Sequence, residues 1–191
     1  EDALRNDWGV DDRLLVRSEP WQQWILEDCF ANGRPPFEAA GVVLTGKVHA
    51  YEQLTVGLLN GGHSAISHLG LMLGHQKVHE AMADPLVLGW LRGYMRDVAA
   101  TLPAIDGVDV RQYSESLIQR FSNAEIDDRL TRLAQDSSSK FQQVLLPPLL
   151  HGLDAGTSIE RFSLTLALWM LYLAKLHDDD AARDAYLDAD K

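Results

Sequence analysis

Asn60 and His63 stand three residues apart in LLNGGHSAISHLG, residues 58–70. On a helix, positions three apart share a face. The amide offers a donor and an acceptor, and the imidazole offers a titratable nitrogen. The pair can therefore grip an oxygen-bearing substrate and steer its proton. Gly61 and Gly62 lie between them, and a glycine inside a helix costs about 1 kcal/mol relative to Ala. Two reasons would justify them. They let a ligand approach the backbone closely, or they let a second helix cross tightly while the polar groups are satisfied internally. The residues alone leave both open.

A second polar set lies downstream in RLAQDSSSK: Arg132, Asp136 and Lys140. Lys140 suits a ligand clamp and Arg132 an anion or hydroxyl contact; a solvated helix end with a serine-rich capping turn is the plainer alternative. His75 and His79 in HQKVHE are four apart, a spacing that can hold zinc on one helix face. No third ligand stands at a recognisable spacing, so no metal is expected. The chain contains no GxGxxG, GxxxxGK[ST], GxSxG, HExxH or paired CxxC, and hence no visible nucleotide-binding loop.

These groups need elements to position them. Ser18, Glu19 and Pro20 suit a helix start. A helix over 18–31 would put Trp21, Trp24, Ile25 and Cys29 on one buried stripe, until ANGRPP breaks it. GVVLTG (41–46) is the only good strand candidate. From Tyr51 onward the pattern is helical, over roughly 51–74, 75–82, 84–101, 109–121, 125–136, 139–153 and 158–177. Asp84-Pro85 reads as an N-cap followed by a first-turn proline, and Pro147-Pro148 must bend or break its helix. The expected fold is mainly α, a multi-helix domain with at most one short strand or hairpin.

With 191 residues, 46% of them hydrophobic, the chain can bury one core as a single domain. Its net charge of -11 argues against nucleic acid. The single cysteine, Cys29, cannot form an intrachain disulfide, which favours a reducing compartment. No targeting peptide is visible in EDALRNDWGV. FSLTLALWMLYLAKL is too short to span a bilayer, which takes about 20 apolar residues, and reads as a buried core helix. The expected setting is cytoplasmic, with no membrane partner. The acidic tail HDDDAARDAYLDADK shows no helix stop and reads as a chain cut short.

Six stretches taken together resemble the mannitol dehydrogenase family, the polyol-specific long-chain dehydrogenases that include fructuronate and tagaturonate reductases. They are SEPWQQWILEDCF (18–30), AYEQLTVGLLNGGHSAISHLG (50–70), VHEAMADP (78–85), QYSESLIQRFSN (112–123), AQDSSSK (134–140) and LALWMLYL (166–173). They follow the family's order and cover nearly the whole chain. The LLNGxHS and D-x-S-x-K blocks are the specific ones. The resemblance implies a helical C-terminal domain, similar to that of 6-phosphogluconate dehydrogenase, which supplies most catalytic and substrate residues. A Rossmann domain that binds NAD or NADP would precede it and is absent from residues 1–191. That domain and a polyol, keto-sugar or sugar-acid substrate are the implied partners.

By motif, Asn60 and His63 match the family's asparagine and histidine around the reacting oxygen. Lys140 matches the lysine of the D-x-S-x-K block, and Arg132 is also on the substrate side. The family's general-base lysine stands five residues before the asparagine; here that position is Thr55, which cannot take a proton near neutral pH. Either the base comes from elsewhere, with Lys47 and His63 as candidates, or activity has been lost, or the residue is a substitution. Two functions follow: the substrate-binding half of an NAD(P)-dependent polyol or sugar-acid oxidoreductase, or a non-catalytic helical binding module that kept the fold. As an isolated domain the chain would be inactive in either case.

Overall fold

The computed structural model describes residues 2–12, 14 and 19–177. Ser18 and the acidic tail beyond residue 177 lie outside the described residues. After α1 (Asp2–Trp8) comes a short two-stranded sheet, β1 (Ile25–Glu27) and β2 (Val43–Thr45). The rest is helical: α2 (Val48–Leu54), a π-helical turn (Thr55–Asn60), α3 (Gly61–Met72), α4 (Val78–Ala83), α5 (Pro85–Ala99) and α6 (Val110–Phe121). A 3-10 turn (Ala124–Ile126) leads into α7 (Leu130–Ala134), α8 (Ser137–Val144), α9 (Leu146–Ala155) and α10 (Glu160–His177). The mainly helical expectation holds.

The expected helix over 18–31 is absent among its described residues. Ile25–Glu27 instead pairs in parallel with Val43–Thr45, Ile25 opposite Val43. The sheet is therefore neither a single strand nor a hairpin, and residues 28–42 supply the long connection that parallel pairing requires. Trp24 and Phe30 pack on Phe37 with ring centroids 6.3 and 5.9 Å away, while Cys29 is exposed rather than buried. Tertiary partners override helix propensity here.

α3 is the central helix, packed by α5, α7, α10, α4 and α8. Such a helix must be buried all round, and Ala65, Ile66, Ser67 and His68 are each almost wholly buried. Its hydroxyls bond locally: Ser64 Oγ donates to the Asn60 carbonyl and Ser67 Oγ to the Ser64 carbonyl, both at 3.1 Å. α5 contributes Val87, Leu91, Tyr94, Met95 and Val98 to the core, and its start is as expected, with Asp84 accepting from the Leu86 amide at 2.8 Å. The proline pair falls at the α8–α9 junction, where Leu145 (φ -111°, ψ -44°) ends one helix and begins the next. α10 is not a fully buried helix. Phe162, Thr165, Tyr172 and Leu176 face inward, but Met170 and Leu171 are 60% and 56% exposed. No helix among the described residues is long and apolar enough to cross a membrane.

Candidate active site

The glycines of the GGH segment serve the helix crossing. A Cβ on Gly61 would meet the Tyr94 Oη at 2.7 Å, and one on Gly62 would meet Met95, Leu91 and Phe121 side chains at 3.2–3.3 Å. α5 and α6 fill the space that a ligand would have needed, so close packing, not backbone access, accounts for both residues.

The π turn just before them sets the geometry of the polar groups. The Gly61 amide reaches the Val56 carbonyl five residues back. Five residues of α-helix would turn through about 500°, leaving positions 55 and 60 about 140° apart; a five-residue hydrogen-bonded turn brings them nearer one face. Such turns inside α-helices concentrate at functional sites. Thr55 opens this turn half-buried, and Asn60 closes it exposed. His63 follows one α turn later, where Cβ atoms three apart lie about 5–6 Å from each other.

His63 is half-buried and stacked on Phe121, with ring centroids 4.1 Å apart. It opens onto a hollow of about 170 Å³ lined by Leu59, His79, Arg120, Asp128 and Glu19 among others. Burial drives its pKa down to about 4; Asp128 opposes that shift, while the charges of Arg132, Arg120 and Lys140 add to it. The ring is thus neutral at neutral pH, with one N–H donor and one acceptor.

Arg132 and Lys140 reach this site by charge rather than by lining the hollow. Arg132 Nε donates to Asp128 at 2.6 Å, with a second, closer bond from Nη2. Burial alone would raise the Asp128 carboxyl, but the hydrogen bond from Arg132 and its charge hold it below the ordinary range. Lys140 depends on a break the sequence pattern concealed. Gln135 is extended and Asp136 is left-handed (φ 54°), so α7 stops and α8 starts afresh at Ser137. Aspartate tolerates this conformation better than most residues. The break buries Ser137, whose Oγ lies 3.4 Å from His68 Nε2, and ties α8 to α3. Lys140, on the first turn of α8, donates to the Leu133 carbonyl at 3.2 Å.

Lys47 is no substitute base: it is exposed and ion-paired to Asp106 at 2.8 Å, and that bond raises its pKa further. His75 and His79 do not share a helix face, because α4 begins at Val78; His75 instead pairs with Asp84 at 3.2 Å. The hollow adds four groups that sequence reasoning did not assign to it, namely Glu19, His79, Arg120 and Asp128. Arg120 and His79 sit inside the blocks QYSESLIQRFSN and VHEAMADP, where polar residues interrupting apolar spacing were the available signal.

The mannitol dehydrogenase C-terminal domain pattern matches residues 47–188. A mannitol 2-dehydrogenase of Phaeosphaeria nodorum is 38% identical over 94% of this chain, and 32% of that protein is covered. A mannitol dehydrogenase of Saccharomyces cerevisiae is 38% identical over 89% of the chain and 34% of its own length. In solved structures, the Pseudomonas fluorescens mannitol 2-dehydrogenase ternary complex with NAD and D-mannitol aligns with TM-score 0.80 and 43% identity. The match covers 89% of this chain and 35% of that one. A substrate-free D-sorbitol dehydrogenase aligns with TM-score 0.83 and 35% identity, over 90% and 36% of the two chains. The chain spans about a third of the length of these relatives.

Proposed function

Because this chain belongs to the mannitol dehydrogenase family through its C-terminal domain, we propose that it is the substrate-binding half of an NAD- or NADP-dependent oxidoreductase. That enzyme would interconvert a polyol such as mannitol, or a sugar acid, with its keto form in a reducing, cytoplasmic setting. The observation that carries the reading is an imidazole, His63, kept neutral by burial at a hollow where Asp128 is offset by the charges of Arg132, Arg120 and Lys140. Its neutral ring can bond the reacting oxygen without giving up its charge state. The charges of Arg132, Arg120 and Lys140 near the ring would stabilise negative charge developing on that oxygen, the kind of preorganised electrostatics that dominates many enzymes. Asn60, exposed one turn away, would supply a second oxygen contact, and Lys140 and Arg132 would act on the substrate by charge. The dinucleotide does not fit this chain: the described residues hold one small two-stranded sheet, and the sequence has no glycine-rich phosphate loop. A separate Rossmann domain would carry it, and that domain would cover the exposed apolar side chains of α9, Leu150 and Leu153.

A second reading rests on Thr55. With threonine where the family resemblance implies the general-base lysine, the domain would bind a polyol without turning it over. General-base catalysis is worth about 10²–10⁴-fold. Joining the chain to a family cofactor domain and assaying mannitol, fructose, fructuronate and tagaturonate with NAD(H) and NADP(H) separates the two. Turnover that falls about 10²–10³-fold in His63→Ala supports the enzyme reading. Polyol binding with no turnover supports the binding module, and neither binding nor turnover rejects both.

A further inference from the structure

The direction of the His63 ring is set by packing rather than by hydrogen bonds. Among the described residues no hydrogen bond reaches either of its ring nitrogens. A histidine's outer torsion is broad and roughly two-fold, so an untied imidazole can aim its two nitrogens in very different directions. Functional histidines are commonly oriented through the second nitrogen, bonded to a carboxylate or a backbone carbonyl. Here the carboxylate at hand, Asp128, is bonded to Arg132 instead.

Phe121 does what that bond would do. Its ring lies against the imidazole with centroids 4.1 Å and planes 23° apart. A turn of the imidazole about its outer torsion would drive the ring edge into the phenyl face. Phe121 has little room to yield, since it is only 6% exposed and closes α6. The residue before it is anchored: Arg120 Nε donates to Glu19 at 2.7 Å, and the guanidinium lies 4.0 Å from the centre of the Trp21 ring. Gly62, on the helix that carries His63, leaves the phenyl its seat. A Cβ there would stand 3.3 Å from Phe121 Cε2, closer than ordinary van der Waals contact.

We infer that Phe121 is a positioning residue of the site: its face fixes the plane of the His63 imidazole and so aims the nitrogen that meets the reacting oxygen. The inference rests on the oxidoreductase reading of His63 and deepens it by naming what preorganises the ring. Phe121 has no polar atom to offer a substrate; it acts through His63. The charged and titratable groups around the ring are Glu19, His79, Arg120 and Asp128 on the hollow, with Arg132 and Lys140 beyond it. None of them bonds the ring, and a charge at a distance does not fix a plane. Supporting shells of this kind hold a reacting group to within about half an ångström of its productive place.

The test follows the His63 side chain by NMR in the labelled full chain as wild type, Phe121→Leu and Phe121→Met. Both substitutions remove the flat face. Methionine keeps a long apolar side chain in the site, so misfolding of one variant leaves the other, and circular dichroism confirms the fold of each. The expected result is one ring orientation in the wild type, read from the Hβ–Cδ2 couplings, and averaged couplings in both variants. In the chain joined to a family cofactor domain, kcat should fall about tenfold in Phe121→Met with KM little changed. The same substitution should add nothing once His63 is Ala, because the effect runs through that ring. A ring that keeps one orientation in the folded variants overturns the positioning role and leaves the proposed function standing. So does a Phe121→Met loss as large in the His63→Ala background as in the wild type. Absence of turnover in the joined wild type, with Phe121 still ordering the ring, overturns the oxidoreductase reading and with it the catalytic aim of the stack.

Discussion

Gly61→Ala decides between the two explanations of the glycine pair. Inside a helix the substitution alone favours folding by about 1 kcal/mol. Here the new Cβ would lie 2.7 Å from Tyr94 Oη and 3.3 Å from its Cε1. Tyr94 has nowhere to retreat: it is fully buried, meets Phe162 edge-on with centroids 5.7 Å apart, and bonds the Val144 carbonyl at 3.4 Å. Overpacking of this kind costs about 1–3 kcal/mol, so the net change is a loss of about 1 kcal/mol. Removing the hydroxyl should relieve it. In Tyr94→Phe, only ring carbons at 3.3 and 3.4 Å remain, and Gly61→Ala should become neutral or stabilising. Tyr94→Phe by itself should cost about 1 kcal/mol for the lost hydrogen bond. Urea unfolding of the four proteins, followed by circular dichroism, yields the coupling energy, expected at about 1–2 kcal/mol in favour of the double variant. A Gly61→Ala protein that gains stability in the native background, with no coupling to Tyr94, would refute the packing account.

Three further outcomes follow. Asp84→Ala should lower stability by about 1 kcal/mol in thermal unfolding, since Asp84 caps α5 through the Leu86 amide and also holds His75. Burial depresses the His63 pKa from 6.5 to about 4, so the unfolded chain binds the extra proton and stability must fall as pH drops through that interval. The contribution is up to about 3 kcal/mol, and His63→Phe should flatten that part of the stability–pH curve. Thr55→Lys, in the chain joined to a cofactor domain, should raise polyol oxidation about 10²–10⁴-fold if the position is that of the missing base; an unchanged rate would place the base elsewhere.

Much of the helical scaffold was legible because its signals are local. Asp84-Pro85 caps α5 whatever the rest of the chain does, and the α5 and α6 stripes repeat at helical spacing. The stretch from Glu19 to Ala31 was not legible, because its conformation is decided at a distance. Its strand pairs with Val43–Thr45, and Glu19 and Trp21 engage Arg120, about a hundred residues away. The π turn also escapes periodicity analysis, since one extra residue in a helix leaves the apolar pattern on either side intact. The Asn60–His63 spacing and the D-x-S-x-K block pointed to candidate residues, but the hollow itself is built by α4, α6 and the 123–128 loop, which meet only in three dimensions. Arg120 and His79 read as ordinary helix polarity until the fold brought both residues to the wall of one hollow.

The most direct measurement is the titration of the His63 ring by NMR, in the free chain and with D-mannitol present. The account predicts a midpoint near 4 in the free chain, and a ring resonance at pH 7 that moves as the polyol is added. A ring that titrates at the ordinary 6.5 and ignores the polyol would contradict it.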